Sequence, residues 1–500
     1  MPILPLLPDE LLLGIAADLC RSDLCNLALA CRRTAPVAQK ALYTEIDLFR
    51  RKNSSQIVYL AQTLLDRPDI ATMVRKLQMT VGYPKGSFVH REPAMPYREA
   101  CKRVIRSLEI VQKSRKAWST RTKEWLNELR VGYDSAWAGI ILCLVPNLHS
   151  LYFNFRNLHP EEIDPRRKWK DMSPLYKLFG RDSEFDLSVI PGLRNLTDLY
   201  YSGEEIPSSW FRLPSLQDVE LDLAVTPDLD QIRLADPSPL QTNQLDTLSL
   251  ITTDAHLFLY EFNSFPIDGL SWQFLNLRNF PSLETLILRY TDIEFDALSS
   301  RRQGNCANLF TRPGAVSHAL RHFEIWWYSG PHYTHLTPIP LQLAETFNKL
   351  LRVALPQQLL LGRQFSARLR SNCHTPLTSV LPSSIQTLEI SDPTQEIRRW
   401  LEELLRVKTS FPHLEAVTFH IYRERGNIRE DEHEVWTRLD DAGIFCCVAD
   451  DEGYQWAPWS ERAEGVADVA GWLERLDEPE DRTVVGLGQF WDLVENCSEF

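Results

Sequence analysis

The chain has 500 residues, with 54 Lys and Arg against 67 Asp and Glu and a formal net charge of −13 at pH 7. That length exceeds what one compact core serves, so roughly two to four structural units are expected. An apolar content of 44% argues against wholesale disorder, and no run approaches the ~20 apolar residues of a membrane helix, so no membrane partner is expected.

The ten cysteines are scattered, without a paired Cys-x-x-Cys spacing. The N-terminus lacks a secretory signal, so they read as reduced, mostly buried thiols of an intracellular protein, cytoplasmic or nuclear. The charge is uneven. Residues 430–500 hold 20 Asp and Glu against 4 Arg, a net −16, which leaves the remainder at +3. The acidity belongs to the C-terminal end, with 450–500 set apart as an acidic segment, and it argues against nucleic-acid binding there.

Taken in chain order, residues 3–46 predict three short helices. Pro8 sits at a helix start, where its missing N–H is harmless, and Asp9 and Glu10 suit the dipole of the first turn. Leu11, Ile15 and Leu19 recur at four-residue spacing. Ser22 is the expected N-cap of a second helix carrying Leu24, Leu27 and Cys31 on one side. Thr34 and Pro36 start a third, with Ala38 and Leu42. So small a unit buries little core alone, and leftover apolar surface usually marks a docking site.

Leu7, Pro8, Glu10 and Leu11, followed by Leu24, Leu27, Cys31 and Arg32, resemble the F-box in order and spacing. The unit is assigned to residues 1–50. The resemblance implies docking on a Skp-type adaptor, and through it on a cullin, with Leu7, Pro8, Leu11, Ile15, Leu24 and Leu27 making the contact.

Beyond this unit one spacing recurs: an apolar residue, two others, an apolar, one other, an apolar. It occurs at Val74-Leu77-Met79, Leu148-Leu151-Phe153, Leu196-Leu199-Tyr201, Leu216-Val219-Leu221, Leu245-Leu248-Leu250, Leu283-Leu286-Leu288, Leu320-Phe323-Ile325, Ile385-Leu388-Ile390 and Leu414-Val417-Phe419. Several follow a Pro-x turn signal, as at Pro146-Asn147, Pro214-Ser215, Pro281-Ser282 and Pro412-His413. Each reads as a half-buried strand. The series resembles leucine-rich repeats of irregular length. The expected fold is therefore α/β: a three-helix F-box-like unit, then an irregular leucine-rich-repeat-like solenoid over 51–449. F-box first and degenerate repeats after is an arrangement familiar from fungal-type F-box proteins.

Other segments have plainer readings. Residues 98–130, with ten Lys and Arg against four Glu, predict one long amphipathic helix with a basic face. Residues 156–186, carrying Pro160, Pro165 and Pro174, predict an insertion loop. Ile397, Trp400, Leu401, Leu404 and Leu405 form a helical stripe. Trp436 to Val448 predicts a closing helix and strand, and 463–476 a further helix.

No catalytic constellation stands out, and no cofactor or metal is expected. Gly486-Leu487-Gly488 lacks the third glycine of a dinucleotide fingerprint. His332 and His335 lie in a Pro-flanked stretch unsuited to a helical metal site. Adjacent Cys446 and Cys447 point to opposite faces of a strand and cannot easily chelate together.

The expectation is a non-enzymatic substrate receptor of an SCF-type cullin–RING ubiquitin ligase. Two rivals are an F-box scaffold without a role in ubiquitin transfer and an enzyme with an unrecognised site. Strand positions between the apolar residues face away from the core. Among them Tyr152, Tyr200, Glu220, Asp222, Glu324 and Trp326 are expected to bind the target, alongside Asp198, Asp218, Thr285, Arg289 and Glu389. Acidic residues prevail in this set, so a basic protein target is expected.

Overall fold

The computed structural model describes residues 7–48, 55–81, 94–109, 115–155, 178–179, 187–202, 209–222, 244–252, 280–290, 319–327, 343–361, 376–391, 397–421 and 433–450. Pro8 is extended and precedes α1 (Asp9–Ala17), with Asp9 and Glu10 in its first turn. The second helix, α2 (Arg21–Ala30), starts one residue before Ser22, after an extended Cys20. In α3 (Thr34–Thr44) the Thr34 hydroxyl is buried and donates to the Leu27 carbonyl at 2.8 Å, tying α3 to α2. Leu12, Ala16, Leu24 and Val37 form a small core of their own, with Leu7, Leu19, Leu27 and Leu42 packed against it.

Among the described residues twelve strands follow: β1 (Glu45–Leu48), β2 (Lys76–Val81), β3 (Ser150–Phe155), β4 (Asp198–Ser202), β5 (Asp218–Asp222), β6 (Thr247–Thr252), β7 (Thr285–Tyr290), β8 (His322–Trp327), β9 (Arg352–Pro356), β10 (Thr387–Ser391), β11 (Ala416–Ile421) and β12 (Phe445–Asp450). They form one sheet in sequence order, and every neighbouring pair is parallel.

This overturns the expected fold, a helical unit followed by an irregular leucine-rich-repeat-like solenoid. The architecture is a twelve-stranded, all-parallel α/β sheet with helices interleaved between its strands. The sheet begins inside the segment expected to be purely helical: β1 leaves α3 directly, and Ile46 pairs with Leu77 and joins the main core. The spacing of apolar residues reports that a strand buries alternate side chains, and carries no information on what connects one strand to the next.

All nine apolar triplets are buried. Their second and third members lie on β2 to β8, β10 and β11. The long gap between 320 and 385 holds β9, where Leu350, Val353 and Leu355 repeat the same spacing. Polar residues at the strand approaches bond across to the preceding strand's approach. Asn147 donates to the Thr72 carbonyl at 2.8 Å, Asn195 to Pro146 at 3.1 Å, Ser215 to Arg194 at 3.0 Å and Ser384 to Leu350 at 2.8 Å. These bonds satisfy carbonyls that the turn leaves free and hold consecutive strands in step.

Helices fill the connections flanking β2: α4 (Ser55–Asp66), then α5 (Ala94–Glu109), α6 (Arg115–Val131) and α7 (Asp134–Leu144). The single helix expected over 98–130 is two, α5 and α6. In one continuous helix Ile105 and Trp125 would face sides roughly half a turn apart; split, both are buried in the same core. α7 is buried almost throughout, and a Cβ on its Gly139 would overlap the Leu178 carbonyl. Near the far end, α8 (Ile397–Arg406) buries Ile397, Trp400, Leu401 and Leu404 as its stripe predicts. The closing pair is also present. α9 (His433–Asp441) ends at Gly443 with φ 73, a left-handed residue that lets Ile444 N–H return to the Leu439 carbonyl at 2.8 Å before β12. Apart from Leu178 and Phe179, the 156–186 insertion lies outside the described residues, as do 463–476 and the acidic segment after Asp450.

Candidate functional site

Strand alternation puts Tyr152, Asp198, Tyr200, Asp218, Glu220, Asp222, Thr285, Arg289, Glu324, Trp326 and Glu389 on the sheet face opposite the main core, in line across the ladder. They form two clusters.

The first lies on β3 to β7. The Tyr152 and Tyr200 rings stack with centroids 3.7 Å apart and planes 6° from parallel. The Tyr200 hydroxyl donates to Asp222 Oδ2 at 3.3 Å, and the Ser202 hydroxyl reaches the same oxygen at 3.1 Å. Arg289 lies 3.7 Å from Glu220. Asp198 and Asp218 stand directly opposite each other in the ladder. Burial pushes the Tyr152 and Tyr200 hydroxyls up and raises the Glu220 carboxyl. Burial raises the Asp218 carboxyl; a hydrogen bond with Thr247 works against this, and the charge and hydrogen bond of Asp198 and the charge of Asp246 raise it further.

The second cluster spans β8 to β12. Arg352 meets Glu389 at 2.7 Å and Glu324 at 3.7 Å. The other Glu389 oxygen lies 2.9 Å from His420 Nε2. Trp326 Nε1 donates to Glu324 at 2.8 Å, and its ring meets the His420 ring edge-on with centroids 4.8 Å apart. Glu389 lies on the outer face, as its strand parity requires, yet it is only 5% exposed, held between Arg352 and His420. Burial alone would raise its carboxyl; the His420 hydrogen bond and the Arg352 charge outweigh burial and hold it below its usual range. Arg352 and His420 were absent from the sequence-based set. Their strand parity was the signal, available once β9 and the reach of β11 are known.

The N-terminal helices divide the proposed adaptor residues. Leu11 is 56% exposed, Ile15 40%, and Pro8 is exposed as well. Leu24 is only 7% exposed and belongs to the small core, with Leu7 and Leu27 packed against it, so these three shape the surface from beneath. Leu29, 85% exposed on α2, was missed: it lies off the Leu24–Leu27 stripe, which is the sequence mark of an apolar side chain facing water.

Burial drives the Cys101 and Cys446 thiols up to about 12, so both stay protonated. Cys446 faces the main core, while Cys447 Sγ lies 3.0 Å from the Thr418 hydroxyl on the other face. Among the described residues no group of three or more His, Cys, Asp or Glu could hold a metal, and no helix is long and apolar enough to cross a membrane. His332, His335 and Gly486–Gly488 lie outside the described residues. No protein-family model and no curated protein matches the chain.

Proposed function

We propose that the chain is a substrate-recognition subunit of an SCF-type cullin–RING ubiquitin ligase. In this reading α1 to α3 dock on a Skp-type adaptor, and the sheet face opposite the core captures a target protein. The chain carries no bond chemistry; it raises the local concentration of target beside the conjugating enzyme. The observation that supports it is the pair Leu11 and Ile15, apolar and exposed on a helical unit with its own small core, within a stretch that resembles the F-box. Exposed apolar side chains on so small a unit favour a partner that removes them from water.

The test is co-expression with a Skp-type adaptor followed by size exclusion. Wild type should co-elute. Leu11→Glu with Ile15→Glu should abolish co-elution while leaving the melting temperature of the sheet unchanged. Co-elution of the double variant at the wild-type level refutes the docking assignment. Loss of target turnover on adaptor depletion separates a ligase receptor from a scaffold.

A further inference from the structure

The sheet face opposite the core has two unlike halves in charge. Over β8 to β11 the carboxylates are met within the molecule: Arg352 serves Glu324 and Glu389, and His420 holds the second Glu389 oxygen. Over β4 to β6 compensation is sparse. Asp198 and Asp218 face each other across the ladder, and Asp246, the residue before β6, adds its charge to Asp218. Among the described residues none of these three forms an ion pair, and the cation of this half, Arg289, is engaged with Glu220. Like charges directly opposite in a ladder are destabilising; the hydrogen bond between Asp198 and Asp218 and the Thr197 and Thr247 hydroxyls offset part of that cost but bring no positive charge.

Two further observations bear on what relieves it. Ser249 is the ladder partner of Glu220 on the same face, is 4% exposed, and its Oγ has no hydrogen-bond partner. A hydroxyl buried and unmatched costs free energy that a bound donor or acceptor would recover. On the other side of Glu220 the half-buried Tyr152–Tyr200 stack presents aromatic surface, and a π-face attracts cations.

We infer that the β4–β6 half of this face binds a Lys- and Arg-bearing segment of a partner protein, with Asp198 and Asp218 receiving the cations and the tyrosine stack the side-chain stems. The internally neutralised β8–β11 half, including Glu324 and Trp326, lies outside this site. Burial is the main cause of the raised Asp218 and Glu220 carboxyls; the Arg289 charge offsets part of it at Glu220, and no cation does so at Asp218 among the described residues. The inference deepens the target-binding half of the proposed function and rests on it for the class of partner.

The experiment titrates an Arg- and Lys-rich peptide into the full chain at low and high salt, with a Gly-Ser peptide of equal length as control. The basic peptide should saturate, weaken with salt, and bind where the control does not. Asp198→Asn with Asp218→Asn should weaken it about tenfold without lowering the melting temperature, because the substitution removes facing like charges. Glu324→Gln with Trp326→Ala should leave it within about twofold, since those charges are already matched. Undiminished binding by the Asn pair, an equal loss in the β8 pair, or spermine binding as tightly as the peptide would each overturn the assignment. No adaptor is present in the titration. A chain that binds the peptide but not the adaptor refutes only the receptor reading, and the converse outcome refutes only this one.

Discussion

His420 holds one oxygen of Glu389 at 2.9 Å from β11, while Arg352 holds the other at 2.7 Å from β9. A nearly buried carboxylate on the central strand of three is thus satisfied from both sides, and its charge is matched without leaving the sheet.

Glu389 makes stability pH-dependent with a definite sign. Its folded-state pKa is held below the ordinary glutamate value of 4.5. Its contribution is therefore present above that value and lost as pH falls through the lower folded-state one. Melting curves over a pH series should show the wild type losing stability as pH drops below about 4.5. Glu389→Gln should cost about 1–3 kcal/mol near neutral pH and flatten that acid slope. Parallel pH profiles for the two proteins would rule out the ion cluster as the source.

Leu248 and Leu286 are ladder partners on β6 and β7, and both are fully buried. Truncating either to Ala should cost about 2–5 kcal/mol in denaturant unfolding. Because the two share neighbours, the double variant should depart from the sum of the singles by about 0.5–3 kcal/mol. Strict additivity would show that the pair do not pack as one layer.

Gly139 offers a test of the fit between α7 and the chain at Leu178. A methyl group there would overlap the Leu178 carbonyl, so backbone must move. Gly139→Ala should destabilise by about 3 kcal/mol, the upper end for overpacking, although Ala is the better helix former by about 1 kcal/mol. A melting temperature at or above wild type would show that the approach is looser.

Much of the sheet is legible in the sequence. The nine triplets carry their own strands because a strand that buries one face must alternate. β9 escapes the series although Leu350, Val353 and Leu355 keep the spacing. β1 is hidden because Glu45 and Ile46 close the run read as a third helix, and only pairing with β2 draws Glu45 to Leu48 into a strand. Parity also places the eleven polar and aromatic residues on one face. Which of their charges are matched is not readable, because Arg352 reaches carboxylates on β8 and β10, and such reach depends on the register of strands joined by long connections.

The sheet runs in sequence order from β1 to β12, so among the described residues no ladder joins strands distant along the chain. Its connections range from residues 203–217 to residues 82–149, yet neighbouring strands stay in step. Among the described residues no strand pairing clamps the first strand to the last. Stretched by its two termini, the molecule should surrender one strand after another, outermost first, each release giving a separate small force event. A sheet whose first and last strands lie side by side would instead resist until a single rupture.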